Sequence, residues 1–335
     1  MFAIIQRDRG EGIVYHIKYN FNMELVNIVE KLNELNVEFE IIENVTLDND
    51  VQFKPASLKS EFPNGIYFIQ HANADWQTNI KGSILITNRP LGSDNIEIVV
   101  SNPQLTHYKL THYFVKDLPT GIHPTAIISE NAQIGKDVFI GPFSVIGDCN
   151  IGDRVRLNNH VVIEDGVVIK NDCVIDSNSV IGAGGMAWIW DEEGNRIMQP
   201  QIGGVIIEEK CLIATDVTIV KGSLSENTVI GPFTVIAHGT KIGHGSQVGS
   251  HVHMANNVSL AGNAIVGDSS FLGSACVISS NIRVPSHTLV GAAALVNKNF
   301  NEEYLTIAGV PALIINRNNF ETKPNGAPQP FKTKK

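Results

Sequence analysis

From Ile230 onward every sixth residue is aliphatic: Ile230, Ile236, Ile242, Val248, Met254, Leu260, Val266, Leu272, Ile278, Val284, Val290 and Val296. An amphipathic helix spaces its apolar residues by three and four, and a half-buried strand by two. A period of six fits neither. It fits very short flat strands joined by tight corners, each strand turning one side chain inward. Three such strands close a triangular coil of about 18 residues, and successive coils stack at the inter-strand spacing of roughly 4.8 Å. Residues one coil apart then lie directly above one another.

The same period runs through Ile122, Ile128, Ile134, Ile140 and Ile146, takes one five-residue step, and continues through Ile151, Leu157, Ile163, Ile169, Ile175 and Ile181. A third run is Ile207, Ile213 and Ile219. Residues 183–201 and 220–229 break the register. Insertions in a solenoid leave as loops from one side, often at a binding face. The first carries Trp188, Trp190, Asp191, Glu192 and Glu193.

The period organises the chain into three parts. The fold class is mainly β: a parallel β-helix over residues 119–300 with the inserted loop 183–201. A small α/β domain over 1–118, with a nucleotide-binding role open to it, comes before. A C-terminal segment and tail, 301–335, follows. In the N-terminal part, strand-like runs fall at 12–18, 38–42, 66–70, 83–87 and 96–101. A helical stripe over 23–35 presents Leu25, Ile28, Val29, Leu32 and Leu35. A second helix opens at Asn102-Pro103, an N-cap residue before a proline suited to the first turn. It carries Leu105, Tyr108, Leu110 and Phe114. The polar tail after TIAGVPALII (306–315) reads as disordered.

A chain of 335 residues with 43% hydrophobic content buries a sizeable core. Its net charge of −9 argues against a nucleic-acid partner, which would want a basic face. No apolar run reaches the ~18 residues of a membrane span, and the first residues lack an apolar leader core. A cytoplasmic protein is the expectation. The four cysteines, Cys149, Cys173, Cys211 and Cys276, are isolated and read as small buried hydrophobes. His238, His244, His251 and His253 cluster in sequence, but their spacing lacks a metal-ligand pattern, so no metal is expected. No GxGxxG or GxxxxGK[ST] motif is present.

Several stretches together resemble one family. They are ASLKSEFPNGIYFI (56–69), KGSILITN (81–88), SNPQLTHYKLTHYF (101–114), GIHPTAIISENAQIGKDVFIGPFSVIG (121–147) and IGHGSQVGSHVHMANNVSLAG (242–262). They are similar to the LpxD-like hexapeptide-repeat N-acyltransferases. The resemblance implies a left-handed β-helix and a homotrimer. It implies acyl transfer to the amine of a nucleotide-linked sugar, in cell-surface polysaccharide biosynthesis.

The family pattern puts the catalytic base at His244, the oxyanion-binding glycine at Gly262 and a helper position at Asn281. One coil separates His244 from Gly262, so the period independently stacks them. Substrate contacts are implied at Phe68, His71, Trp76, His238, Asn256 and Asn257. The sequence departs from the family at Asn281, where a histidine is usual, and at Ala74, where a second base-stacking aromatic is usual. AGVPA (308–312) and the Pro/Lys/Asn tail resemble the coenzyme A-dependent members. The resemblance therefore favours a coenzyme A thioester over an acyl carrier protein, with Gly262, Ala308, Gly309 and Pro311 contacting it. The acceptor expected is a UDP- or dTDP-linked amino sugar. Acyl-carrier-protein-dependent transfer to UDP-3-O-acylglucosamine, sugar O-acetyl transfer and a purely structural solenoid are the alternatives.

Overall fold

Each two-residue strand of the hexads has one outward and one inward side chain, as at Lys241 (exposed) and Ile242 (buried). The computed structural model describes residues 22–48, 50–59, 61–69, 79–115 and 119–318. In it the hexads form a left-handed parallel β-helix whose three faces are parallel sheets, apart from one antiparallel hairpin strand at the C-terminal end. Among the described residues the first face has nine strands, from Ile127–Ile128 to Leu295–Val296. The second has eight, from Gln133–Ile134 to Arg283–Val284. The third has eleven, from Gly121–Ile122 to the hairpin strand Leu313–Arg317. Pairing follows the 18-residue ruler: Lys241 and Ile242 pair with Ser259 and Leu260, which pair with Val277 and Ile278. The aliphatic hexad residues from Ile140 to Val296 form one continuous buried column.

The corners follow a rule of their own. The third residue after the inward aliphatic takes a left-handed conformation, including bulky Phe143, Phe233 and His251 at φ 59°, 58° and 54°. Such a conformation is costly for a large side chain. Stacking between coils offsets it: the Phe233 and His251 rings are 4.8 Å apart and 6° from parallel. The next residue is small and buried. Where it is Ser or Thr it bridges coils; Ser144 Oγ accepts from the Val161 N–H at 3.2 Å and donates to the Asn158 carbonyl at 2.9 Å. This satisfies corner backbone groups that no ladder reaches. Cys173, Cys211 and Cys276 fill the same slot, and Cys149 is buried at the shortened corner.

Between Ile122 and Val296 every departure from the six-residue step falls at one corner, where the chain crosses from the first face to the second. The short step joins Ile146 to Ile151, and the two insertions lie between Ile181 and Ile207 and between Ile219 and Ile230. The first insertion is not a featureless loop. Trp188–Trp190 pairs antiparallel with Arg196–Met198. Arg196 lies over both indoles, at 4.9 and 5.4 Å.

The chain divides into two compact units at Leu118 and Pro119. In the N-terminal unit, α1 (Leu25–Glu34) and α2 (Pro103–Thr111) accompany a five-stranded sheet. Its strands are β1 (Phe39–Glu43), β2 (Lys54–Pro55), β3 (Gly65–Ile69), β4 (Ile84–Thr87) and β5 (Ile96–Val100). The order is β1-β5-β4-β3-β2, with only β1 antiparallel to its neighbour. Asn102 caps α2 as its sequence predicts, accepting from the Leu105 N–H at 3.1 Å. The inward face of α2 differs from the hydrophobic reading: Thr106, His107 and Leu110 are buried while Leu105 and Tyr108 are exposed. β2 had no sequence signal, since two residues carry no period. The strand expected at 12–18 and the tail after Asn318 lie outside the described residues. At the solenoid's C-terminal end, Leu305–Ala308 joins the third face beside Leu289–Val290 and turns back into Leu313–Arg317. Among the described residues no helix is long and apolar enough to cross a membrane.

Candidate active site

The irregular corner gathers the residues with chemistry. His244 follows the first-face strand Lys241–Ile242, and Gly262 occupies the same position one coil on. The half-buried imidazole lies flat against the Gly262 backbone. A methyl group built on Gly262 would collide with Nε2 and stand 2.7 Å from Cε1 and 2.9 Å from Cδ2. Glycine is required there because the ring occupies the space a side chain would take. The His244 carbonyl accepts from the Asn263 N–H at 2.7 Å, tying the two coils together.

The Gly262 N–H donates no hydrogen bond among the described residues. Its counterpart earlier in the same column, the Asp148 N–H, is capped by Asp165 Oδ1 from the next coil at 2.7 Å. One coil beyond Gly262 stands Ser280, which makes no such contact. The column therefore leaves a backbone donor open beside the imidazole.

The second insertion completes the site, and hexad counting alone does not reveal it. Ser223 Oγ lies 3.2 Å from His244 Nδ1. Glu226 accepts from the Ser223 N–H at 2.6 Å and the Leu224 N–H at 3.2 Å. Backbone N–H groups, its own and those of Ser223 and Leu224, hold its carboxyl below the usual carboxylate range, with the charge of His244 a smaller contribution. A methyl on Gly222 would strike the Glu226 carbonyl, so only glycine lets this loop fold back on itself. The base of the first insertion docks on the same loop: Ile202 N–H donates to Ser223 O at 3.0 Å and Gly203 N–H to Gly222 O at 3.1 Å. The break in period at 220–229 was the available signal for Ser223 and Glu226.

The other expected residues separate into distinct places. Asn281 stacks over Asn263 rather than Gly262; its N–H donates to the Gly262 carbonyl at 3.1 Å and it holds a left-handed corner at φ 61°. His238, Asn256 and Asn257 share the neighbouring corner, between the third and first faces. There His238 Nδ1 lies 2.8 Å from Thr215 Oγ1 and the Asn257 N–H donates to the His238 carbonyl. Ala308, Gly309 and Pro311 form the turn of the C-terminal hairpin, where Gly309 O accepts from the Leu295 N–H at 3.0 Å. In the N-terminal unit Phe68 is half-buried, its ring 5.1 Å from that of His107 and 6.2 Å from that of Tyr108. His71 and Trp76 lie outside the described residues. No group of three His, Cys, Asp or Glu side chains placed to hold a metal occurs among the described residues.

Comparison with known proteins agrees with this architecture. The bacterial transferase hexapeptide (six repeats) family matches residues 223–256, the stretch holding Ser223, Glu226 and His244. A UDP-3-O-acylglucosamine N-acyltransferase of Coxiella burnetii is 38% identical over 200 residues, covering 52% of this chain and 58% of that protein. One of Psychrobacter cryohalolentis is 34% identical over 123 residues, covering 35% of this chain and 33% of its own length. The chain thus spans less than two thirds of these relatives. Among solved structures, the UDP-N-acetylglucosamine O-acyltransferase of Moraxella catarrhalis aligns with a TM-score of 0.54 and 28% identity, over 59% of this chain and 74% of that one. The six-residue ruler and the three-faced prism agree with the bacterial transferase hexapeptide repeats matched at residues 223–256, and over part of its length the chain is similar to these acyltransferases.

Proposed function

We propose that this chain moves an acyl group from a thioester to the amine of a UDP-linked glucosamine of the 3-O-acylated type. The observation that carries the reading is the His244 imidazole seated on Gly262, beside an N–H with no acceptor among the described residues. Amide formation joins the amine nitrogen to the acyl carbon, breaks the carbon–sulfur bond and releases a thiol. A sugar ammonium resembling an α-amino group has a pKa of about 8, so a base near neutrality serves it. His244 Nε2 takes the proton as nitrogen attacks and returns a proton to the leaving sulfur. The Gly262 N–H receives the developing oxyanion, a donor role worth roughly 2.7–4 kcal/mol. Asn281, Phe68, His71, Trp76, His238, Asn256 and Asn257 are assigned to substrate positioning, and a homotrimer to completing the cleft at this edge.

The relatives named UDP-3-O-acylglucosamine N-acyltransferases support that acceptor better than the broader set of UDP- and dTDP-linked amino sugars. The donor's carrier is the second variable. Coenzyme A, with Ala308, Gly309 and Pro311 as its contacts, and an acyl carrier protein are two arms of one assay. Purified protein is given each acyl thioester with UDP-3-O-acylglucosamine, its dTDP counterpart, and the analogue bearing hydroxyl in place of amine. Amide product from the UDP amine, lowered about 10²-fold or more in His244→Ala, is expected. Full turnover by His244→Ala, or ester product alone, overturns the proposal. A monomer by light scattering removes the trimer from it.

A further inference from the structure

We infer that Ser223 and Glu226, on the loop of the second insertion, are positioning residues that fix the orientation and tautomer of His244. This rests on the reading of His244 as the base. A neutral imidazole has one N–H and one lone pair, and the partner of one nitrogen decides which nitrogen carries which. Ser223 Oγ, 3.2 Å from Nδ1, is the hydrogen-bond partner of that nitrogen; a hydroxyl can accept from Nδ1–H or donate to Nδ1, and the arrangement inferred is the first. With Nδ1–H donating to Oγ, the lone pair sits on Nε2, the atom pressed over Gly262.

A serine on a free loop would orient nothing, because its own position would wander. Here three contacts hold it. The Glu226 carboxylate accepts from its N–H, its carbonyl accepts from the Ile202 N–H, and the Gly222 turn closes on the Glu226 carbonyl. Glu226 also brings negative charge toward the ring; its Cγ stands 3.5 Å from where a methyl on Gly245 would lie, next to His244 in the chain. Ser223, Glu226 and Gly222 thus form a bracket that exists because the chain adds residues at this crossing. Thr228, at the loop's end, clamps it to the His244 coil by accepting from the Gly245 N–H at 2.9 Å.

The test pairs a spectroscopic readout with kinetics. Nitrogen-15 spectra of histidine-labelled protein, assigned with His244→Ala, should show His244 in the Nδ1–H tautomer. Ser223→Ala should give a mixture with the Nε2–H form and lower kcat about 10-fold, part of the roughly 10²-fold or more that a positioned base contributes, with KM for the sugar nucleotide nearly unchanged. Ser223→Thr should restore both. Glu226→Gln should loosen the loop that holds Ser223 and give a tautomer mixture of the same kind, since its carboxylate is what accepts from the Ser223 and Leu224 N–H groups. A Ser223→Ala protein with an unchanged tautomer, or with unchanged kcat, overturns the inference. The tautomer reports on the bracket without turnover, so a protein that transfers no acyl group fails the functional reading and leaves the bracket separately decided.

Discussion

Replacing Gly262 by alanine separates two reasons for glycine at the candidate site. The substitution keeps the N–H, so the open backbone donor survives. What it adds is one methyl in space occupied by the His244 ring, against Nε2 and within 2.7 Å of Cε1 and 2.9 Å of Cδ2. All are closer than real carbon contacts allow, so the ring must move. Its exit breaks the 3.2 Å contact to Ser223, a net loss of about 0.5–1.5 kcal/mol. Overpacking of this kind costs about 1–3 kcal/mol in total. Gly262 is not among the positions with a left-handed backbone, so the new side chain brings no conformational penalty. The fold should therefore survive, with Tm lowered by about 2–4 °C per kcal/mol lost. Turnover should fall about 10²-fold, because a general base must sit within hydrogen-bond reach of its proton. Gly243→Ala is the control: its methyl would meet only backbone, with Gly262 N at 2.7 Å and Ala261 C at 2.8 Å. That variant should lose stability more than Gly262→Ala does. Acyl transfer and thermal unfolding are measured on both. Wild-type turnover in a folded Gly262→Ala protein would refute the seating argument.

Two further outcomes follow from burial. Burial holds the Cys149 and Cys276 thiols up at about 11 and about 12, so they stay protonated at neutral pH. All four cysteines should resist an aromatic disulfide reagent in the native protein and react together in denaturant; fast native labelling of any one contradicts the packing. In the N-terminal unit, burial pushes His107 below its ordinary 6.5. The unfolded chain then binds a proton that the folded unit does not, so stability is lost as pH falls below about 6.5, by at most about 1.4 kcal/mol per pH unit. Denaturant unfolding between pH 7 and 5 should show this slope, and His107→Gln should flatten it.

The fold was legible because its repeat is short and its core is linear. Each inward residue from Ile230 to Val296 is a local statement of the same geometry, and the structure pairs them as the ruler requires. The stacking of His244 on Gly262 was legible for the same reason. The ruler says nothing of what an insertion does once it leaves the prism. Ser223 reaches His244 through a turn made by Gly222 and Glu226, an arrangement without period. Asn281 stands between: the ruler places it over Asn263, while its left-handed corner and its N–H bond to the Gly262 carbonyl are structural facts that a motif comparison reads only as a missing histidine. α2 misled because a buried histidine and threonine face inward where a hydropathy pattern looks for Leu105 and Tyr108.

The crossing between the first and second faces tolerates a residue fewer, a short detour and a long one, while Ile163 still pairs with Ile181 and Ile207 with Ile230. Length there is decoupled from phase. A change in the detours alters what stands beside His244 and is not transmitted along the column, because each later coil restarts its count from the next rung. The scaffold thereby confines variation to one seam. The lining of that seam can change in length and composition without renegotiating the packing of the core column.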